Sequence, residues 1–369
     1  MSENEIIETN DLELVRKLGF PYYQFNDSYL QDFKRLQEQD NKSLLVHNTA
    51  YHMSMIKTTS GYSKLASVFF PHMFSTPIVG KKDPITAFND DKLLTKSIKM
   101  AKGKNNRLTR ASLRSMLKLV TGVQCVSNFR PEVSKMIYDY YGNEGRIFDF
   151  SMGYGGRMVG FLASNCKEYV GVDVNKVNFR GYKEIIKHYN FKNLKKVIPI
   201  ESPAEEFRPE KYHGYFDCAF SSPPYFHKEM YSEDEDQSYK KYPTAYKWIN
   251  FFLKPLIFNI YDLLKNDSFF IINIANINEG EWVHDLESPT KIFAEKAGFR
   301  LVNKLGYALT ILMGTRNKQN IHKSNENVKY EPVFVFAKGN VEDKIKKFYN
   351  KQVALMKQRE NFSNLFRKN

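Results

Sequence analysis

Ser222-Pro223-Pro224-Tyr225 is the stretch whose residue types bear most directly on chemistry. Two adjacent prolines remove two backbone donors and fix two φ angles. What then faces outward is a rigid set of acceptors, the Ser222 hydroxyl oxygen and nearby carbonyls, beside one aromatic ring. Such a set suits a weakly nucleophilic aromatic amine, whose lone pair stays in its ring until acceptors hold the two amino hydrogens, while Tyr225 stacks on the ring. The plainer alternative is a proline pair that only turns the chain. A second candidate is Gly153-Tyr154-Gly155-Gly156, which follows the apolar run Ile147 to Phe150 and opens the apolar run Met158 to Ala163. Free N–H groups at such a helix start meet an anion. Asp173 ends the next apolar run, about where an acidic side chain grips ribose hydroxyls in nucleotide-binding turns. The dinucleotide spacing G-x-G-x-x-G is not met, because Met158 stands at the third glycine position. Glycines that merely turn a strand into a helix are the alternative here.

The elements that must position these residues alternate. Strands are expected at 147–150, 169–174, 196–200, 216–220 and 268–275, and helices at 158–163, 176–189, 247–264 and 290–297. Strand and helix taking turns predict an α/β fold with a mostly parallel sheet. Both candidate stretches then lie at carboxyl ends of strands, where open α/β sheets bind ligands. The segments 299–309 and 330–337 are expected to pair as an antiparallel hairpin at one edge. Residues 1–120 read as a mainly helical and irregular accessory region, 121–340 as the catalytic domain, and 341–369 as a basic C-terminal helix. A helix is expected at 28–39, and the proline-interrupted 52–86 reads as an irregular packed segment.

At 369 residues and 42% hydrophobic, the chain can bury a real core. No run of eighteen apolar residues appears and the N-terminus is acidic, so neither a membrane span nor a secretory signal is expected. Cys125, Cys166 and Cys218 stand far apart, which argues against a disulfide framework or cysteine zinc site and fits a cytoplasmic location. A net charge of +14 predicts attraction to a polyanion, of which nucleic acid is the commonest in a cytosol. The run from Lys92 to Lys118 holds nine Lys or Arg and no acid. Helical spacing brings Arg107, Arg110 and Arg114 onto adjacent turns as candidates to track a phosphate backbone, with a solvated helical face as the alternative.

In this order of motifs the chain resembles the class I S-adenosylmethionine-dependent amino-methyltransferases that modify nucleic-acid bases. The resemblance covers roughly residues 127–338. Asp149 to Gly156 looks like the glycine-rich cofactor motif, Gly171-Val172-Asp173 like the acidic second-strand end, and Ser222-Pro223-Pro224-Tyr225 like the (Asp/Asn/Ser)-Pro-Pro-(Tyr/Phe) catalytic motif. Phe129-Arg130-Pro131 is similar to the segment that contacts the cofactor from its other side. The resemblance implies a Rossmann-like sheet and S-adenosyl-L-methionine as cofactor, with its methionine part on Gly153, Gly155 and Gly156. It also puts Asp149 beside the methionine amino group, Asp173 on the ribose, and Ser202 or Glu205 at the adenine edge. Ser222 and the Pro223 carbonyl accept from the target amine, Pro224 stiffens the turn, and Tyr225 stacks on the base. The amine attacks the sulfonium methyl and loses its proton afterwards, so neither a strong general base nor a metal is expected. A base in a duplex must be flipped out or presented single-stranded, and Tyr231, in the acidic tyrosine-rich loop 227–246, joins the three arginines as a nucleic-acid contact. DNA is favoured over RNA, and serine in the first catalytic position leans toward cytosine N4 over adenine N6. The rivals are the same chemistry on RNA and an inactive nucleic-acid-binding module of the same fold. Oligomeric state is left open.

Overall fold

Along the strands the apolar side chains part to two faces. Ile147, Cys218, Phe220, Phe269 and Ile271 belong to one core, while Phe148, Ala219, Phe270 and Ile272 belong to another. A period of two with both faces apolar is the signature of a sheet covered on both sides. The structure, a computed structural model, describes residues 7, 11–48, 53–57, 61–103, 107–224, 235–279, 282–309 and 329–345. In chain order its strands are β1 (Leu45–Asn48), β2 (Met53–Ile56), β3 (Arg146–Asp149), β4 (Glu168–Asp173), β5 (Lys196–Glu201), β6 (Phe216–Ser221), β7 (Leu264–Asn273), β8 (Ile277–Glu279), β9 (Trp282–His284), β10 (Arg300–Ala308) and β11 (Tyr330–Lys338). Nine of them form one sheet in the order β1-β2-β10-β11-β7-β6-β3-β4-β5, and β8 pairs with β9. Strands β5, β4, β3, β6 and β7 are mutually parallel. The fold is therefore α/β and Rossmann-like. Strand order reverses between β3 and its neighbour β6, which makes this pair the switch point of the sheet.

Helices Pro131–Tyr141, Gly156–Ala163 and Asn178–Tyr189 bury their apolar faces in the first core. The second core is covered by Leu256, Ile257, Ile260 and Leu263 of helix Lys254–Leu263, by Trp248 of the π-helical turn before it, and by Ala294 of helix Glu287–Ala297.

Two expectations change. The antiparallel pair β10–β11 forms in the expected place in the chain but not at an edge, because β11 also pairs with β7 and β2 adds in parallel to β10. The added strands β1 and β2 come from the N-terminal region, so residues 1–120 do not stand apart from the catalytic sheet. Their aromatic side chains enter the same core: Phe33 stacks on Tyr189 with ring centroids 4.5 Å apart, and Phe70 meets Tyr182 at 5.6 Å. Of the C-terminal helix expected over 341–369, residues beyond 345 lie outside the described residues.

Arg110 and Arg114 are the clearest correction. Both sit on helix Arg110–Leu117, only 6% and 4% exposed, and face inward. Arg110 donates to the carbonyls of Leu18 and Phe20 at 3.2 Å each. Arg114 donates to the carbonyl of Pro21 at 3.1 Å, and its guanidinium lies 3.8 Å from the centre of the Tyr23 ring. The arginine pattern of this helix thus serves to fasten the aromatic strap Phe20 to Tyr23, and neither side chain is available to phosphate. Arg107 alone of the three is exposed. Replacing Arg114 with Met keeps the stem and deletes the charge-assisted bonds. That variant is expected to lose about 1.5–3 kcal/mol of stability in urea unfolding, where a surface arginine would lose next to nothing.

Candidate functional site

Strand β3 delivers the chain into the glycine loop and β6 delivers it into Ser222-Pro223-Pro224. Because these strands are parallel neighbours, both loops leave the same end of the sheet. They wall one cavity of about 460 Å³, within the range of small-molecule sites. Phe129, Arg130, Gly153, Asp173, Ser202, Glu205, Ser222, Pro223 and Pro224 all line it. Asp149, Gly155 and Gly156 do not. Tyr225 and Tyr231 lie outside the described residues.

Asp149 is turned away from the cavity for an electrostatic reason. It is fully buried, and each carboxylate oxygen accepts two hydrogen bonds. Oδ1 takes the Ser221 hydroxyl at 2.7 Å and the Ser151 N–H at 3.0 Å. Oδ2 takes Arg157 Nε at 2.9 Å and the Tyr169 hydroxyl at 2.6 Å. Four acceptor sites are thereby filled, and none is left to hold a ligand's ammonium group. Arg157, which does line the cavity, also donates to the Ser151 carbonyl. The Asp149 carboxylate thus ties the start of the glycine loop to Ser221, the residue just before Ser222.

Gly155 and Gly156 are glycines because other parts of the chain occupy the space of a side chain. A β-carbon on Gly156 would lie 1.9 Å from the Phe129 carbonyl oxygen, and one on Gly155 would lie 2.5 Å from Ile185 Cδ1. The first contact belongs to a clamp: Asn128 accepts from the Gly156 N–H at 3.0 Å and donates to the Tyr154 carbonyl at 2.7 Å. Gly153 differs. Its φ is +54°, and a β-carbon there would meet only the Ser151 carbonyl, at 3.9 Å, so this glycine leaves open room on the cavity wall. The N-terminal region supports the loop from behind, with Thr76 Oγ1 2.7 Å from the Tyr154 hydroxyl and His72 Nε2 2.8 Å from Asn178 Oδ1.

Asp173 ends β4 directly beside the glycine loop. Oδ2 accepts from Gly153 N–H at 2.7 Å and from the Tyr182 hydroxyl at 2.9 Å, and Oδ1 accepts from Asn175 N–H at 2.8 Å. Burial nevertheless pushes its pKa up to about 6, with these hydrogen bonds pulling the other way and no cation among the causes. Glu205 is buried as well, which raises its pKa. Its Oε1 accepts from the Tyr242 hydroxyl at 3.0 Å, so that the 237–242 segment, which brings Gln237 and Ser238 to the cavity, is tied down over that wall. The cavity lining also includes Phe129 stacked on Tyr307, centroids 5.2 Å apart, with Arg130 hydrogen-bonded to Tyr307.

Asn128, Arg157, Tyr307 and Gln237 are site residues that motif reasoning did not reach. Asn128 stands immediately before the Phe129-Arg130 pair, and an amide there was the available signal. Arg157, Tyr307 and Gln237 reach the cavity only through tertiary packing. Asp149→Asn removes the charge that compensates the buried Arg157 guanidinium, and a loss of about 3–5 kcal/mol in urea unfolding is expected. Ser221→Ala, which removes one neutral donor, should cost only about 1–3 kcal/mol. Equal losses in the two variants would mean that the ion pair is not what holds the two loops.

Compared with known proteins, the chain shows partial likenesses to solved structures. A [4+2]-cyclase, SpnF, aligns over 57% of this chain and 81% of its own at 11% identity and a TM-score of 0.39. A TehB-like S-adenosylmethionine-dependent methyltransferase from Corynebacterium glutamicum aligns over 57% and 89% at 15% identity and 0.34. A 1,6-didemethyltoxoflavin-N1-methyltransferase from Burkholderia thailandensis aligns over 53% and 71% at 13% and 0.33. No curated protein matches. No helix among the described residues is long and apolar enough to cross a membrane. The family comparison is the informative one: residues 216–369, which begin with the strand that ends at Ser221 and leads into Ser222, match the N6_N4_Mtase family, described as DNA methylase.

Proposed function

We propose that this protein transfers a methyl group to an exocyclic amino nitrogen of a DNA base, cytosine N4 before adenine N6, in the cytoplasm. The observation that carries the reading is the single cavity into which the glycine loop after β3 and the Ser222-Pro223-Pro224 turn after β6 both open. The residues present fit the cofactor. Gly153 leaves open room on the wall, Asp173 and Glu205 offer carboxylates to hydroxyl and amino donors, and Phe129 and Arg130 line the same cavity. Bound there, S-adenosylmethionine supplies an electrophilic methyl on a sulfonium centre.

The chain's own part is to hold and align. Ser222 Oγ and the Pro223 carbonyl accept the two hydrogens of the target amine. That draws the nitrogen lone pair out of the ring and aims it, while Pro224 keeps the turn from relaxing. No proton need leave before the new bond forms, because the nitrogen becomes acidic only once it is cationic; the acceptors then stand where that proton is released. Tyr225 follows the turn directly and is assigned to stacking on the base. Tyr307, Arg130 and Glu331, which line the same cavity, are assigned to reading the base edges.

Two kinds of measurement test this, one of the product and its catalytic turn and one of the pH dependence. Nucleoside mass analysis after incubating the protein with cofactor and unmodified DNA or RNA should show a methylated amino base in DNA, with N4-methylcytosine the expected product. Methylated RNA alone would redirect the reading to RNA, and cofactor binding without any turnover would leave only a binding module. Ser222→Ala should lower turnover by about 10²-fold or more while cofactor affinity stays within a few fold.

The second is a pH profile. Ribose hydroxyls donate to a carboxylate and not to its protonated form, and the folded pKa of Asp173 is about 6. Cofactor affinity by calorimetry should therefore fall as pH drops through that value and level off above it, and Asp173→Asn should bind more weakly with no such step. The stability of the cofactor-free protein runs the opposite way. With the folded pKa above the unfolded value of about 4, this group's contribution is full at low pH and is lost as pH rises through 6.

A further inference from the structure

We propose that DNA lies along the exposed lysine row of helix Asp91–Lys102 and the adjoining turn at 79–82, a basic strip that leads to the cavity mouth; the proposal rests on the amino-methylation reading. Burial of Arg110 and Arg114 leaves the phosphate-contacting role open, and the helix before them offers the better geometry. It buries Leu94, Ser97 and Ile98. Lys92, Lys96 and Lys99, at i, i+4 and i+7, share one exposed stripe, which spans about 10 Å at 1.5 Å per residue. The acids at this end of the helix are already paired, Asp90 with Lys82 of the adjoining turn at 2.9 Å and Asp91 with Arg16 at 2.5 Å, so neither pairs with a lysine of the row. Among the described residues no ion pair involves Lys81, Lys92, Lys96 or Lys99.

Position makes this stripe more than a solvated face. Lys96 Nζ donates to Thr121 Oγ1 at 3.1 Å, which fixes the helix beside the turn at 119–124. The same turn is stitched to the 79–82 turn, with Lys82 N–H donating to the Gly122 carbonyl at 3.1 Å and Gln124 N–H to the Lys82 carbonyl at 3.0 Å. Gln124, three residues on from Thr121, is itself on the cavity wall, and so is Ser127; both are exposed. Lysine row, turn and cavity mouth therefore follow one another without a break. Val79 and Leu119, 57% and 67% exposed, stand in the strip as apolar contacts suited to deoxyribose. A cationic strip beside a pocket for one base complements a polyanion whose target nucleotide has left the stack while its neighbours stay outside.

The test compares the wild type with Lys92→Ala/Lys96→Ala/Lys99→Ala and with a control of equal charge loss elsewhere, Lys187→Ala/Lys192→Ala/Lys211→Ala. Binding to a fluorescent DNA duplex and to its single strand is followed by anisotropy across a salt series, and calorimetry with the cofactor verifies that each variant is folded. The expected result is a log K against log salt line shallower by up to about 2.7 in the row variant, three phosphates at about 0.9 each. The control should keep the wild-type slope, and cofactor affinity should be unchanged in both. An unchanged slope in the row variant overturns the proposal, as does an equal loss in both variants, which would mean bulk charge alone. If the wild type methylates DNA while the row variant keeps its slope, only this surface is wrong; if the wild type neither binds nor methylates DNA, the amino-methylation reading falls with it.

Discussion

A carboxylate with no exposure to water, Asp149, is the point on which the two working loops hang. Removing such a charge from water costs several kcal/mol unless every lone pair is met. Here the four donors come from four different places: the strand end after β6, the loop after β3, the helix behind that loop, and β4. The requirement to satisfy one buried anion therefore fixes the distance between the glycine loop and the Ser222 turn. A methyl transfer in which nothing but alignment separates reaction from no reaction depends on that distance.

The N-terminal region extends the same logic. Arginines that a linear reading assigns to phosphate are consumed in fastening residues 18–22, and the aromatic cluster around Phe70 and Phe74 then comes to lie under the glycine loop. Phe70 is one of the atoms groups that a side chain on Gly155 would strike, at 3.1 Å. The region is thus a buttress for the glycine loop as well as an extension of the sheet, and the cations it leaves to the solvent include Arg107 and the lysines of a neighbouring helix.

Much of this was legible in the sequence. The alternation of strands and helices, the glycine turn after Phe148 and Asp149, and the proline turn after Ser221 are local patterns, and local patterns survive in a linear reading. Which residues face the cavity was less legible, because burial is decided by what packs from elsewhere. Asp149 and Asp173 look alike as acidic residues at strand ends, yet Asp149 meets Arg157 from the helix behind it and closes away from the cavity. Strands β1 and β2 escaped notice because each is four residues long and gains its place by pairing, not by an apolar repeat of its own. Arg110 and Arg114 were misleading for a related reason: helical spacing says that they share a face, not whether that face is inside.

The contrast between the two aspartates explains how one site can be both rigid and receptive. Asp149 has a guanidinium against it, so its charge is compensated within the protein and needs nothing from a ligand. Asp173 accepts hydrogen bonds only from the neutral groups of Gly153, Asn175, Tyr182 and Asn178, and burial pushes its pKa up to about 6 against their pull. Hydrogen bonds from neutral groups leave a desolvated carboxylate short of stabilisation that further donors can supply. A hydroxyl group arriving at this part of the cavity wall would share or replace one of these neutral donors, which costs less than parting Asp149 from its guanidinium. Rigidity comes from the compensated anion, the exchangeable hydrogen bonds belong to the uncompensated one, and the two occupy the ends of adjacent strands, β3 and β4.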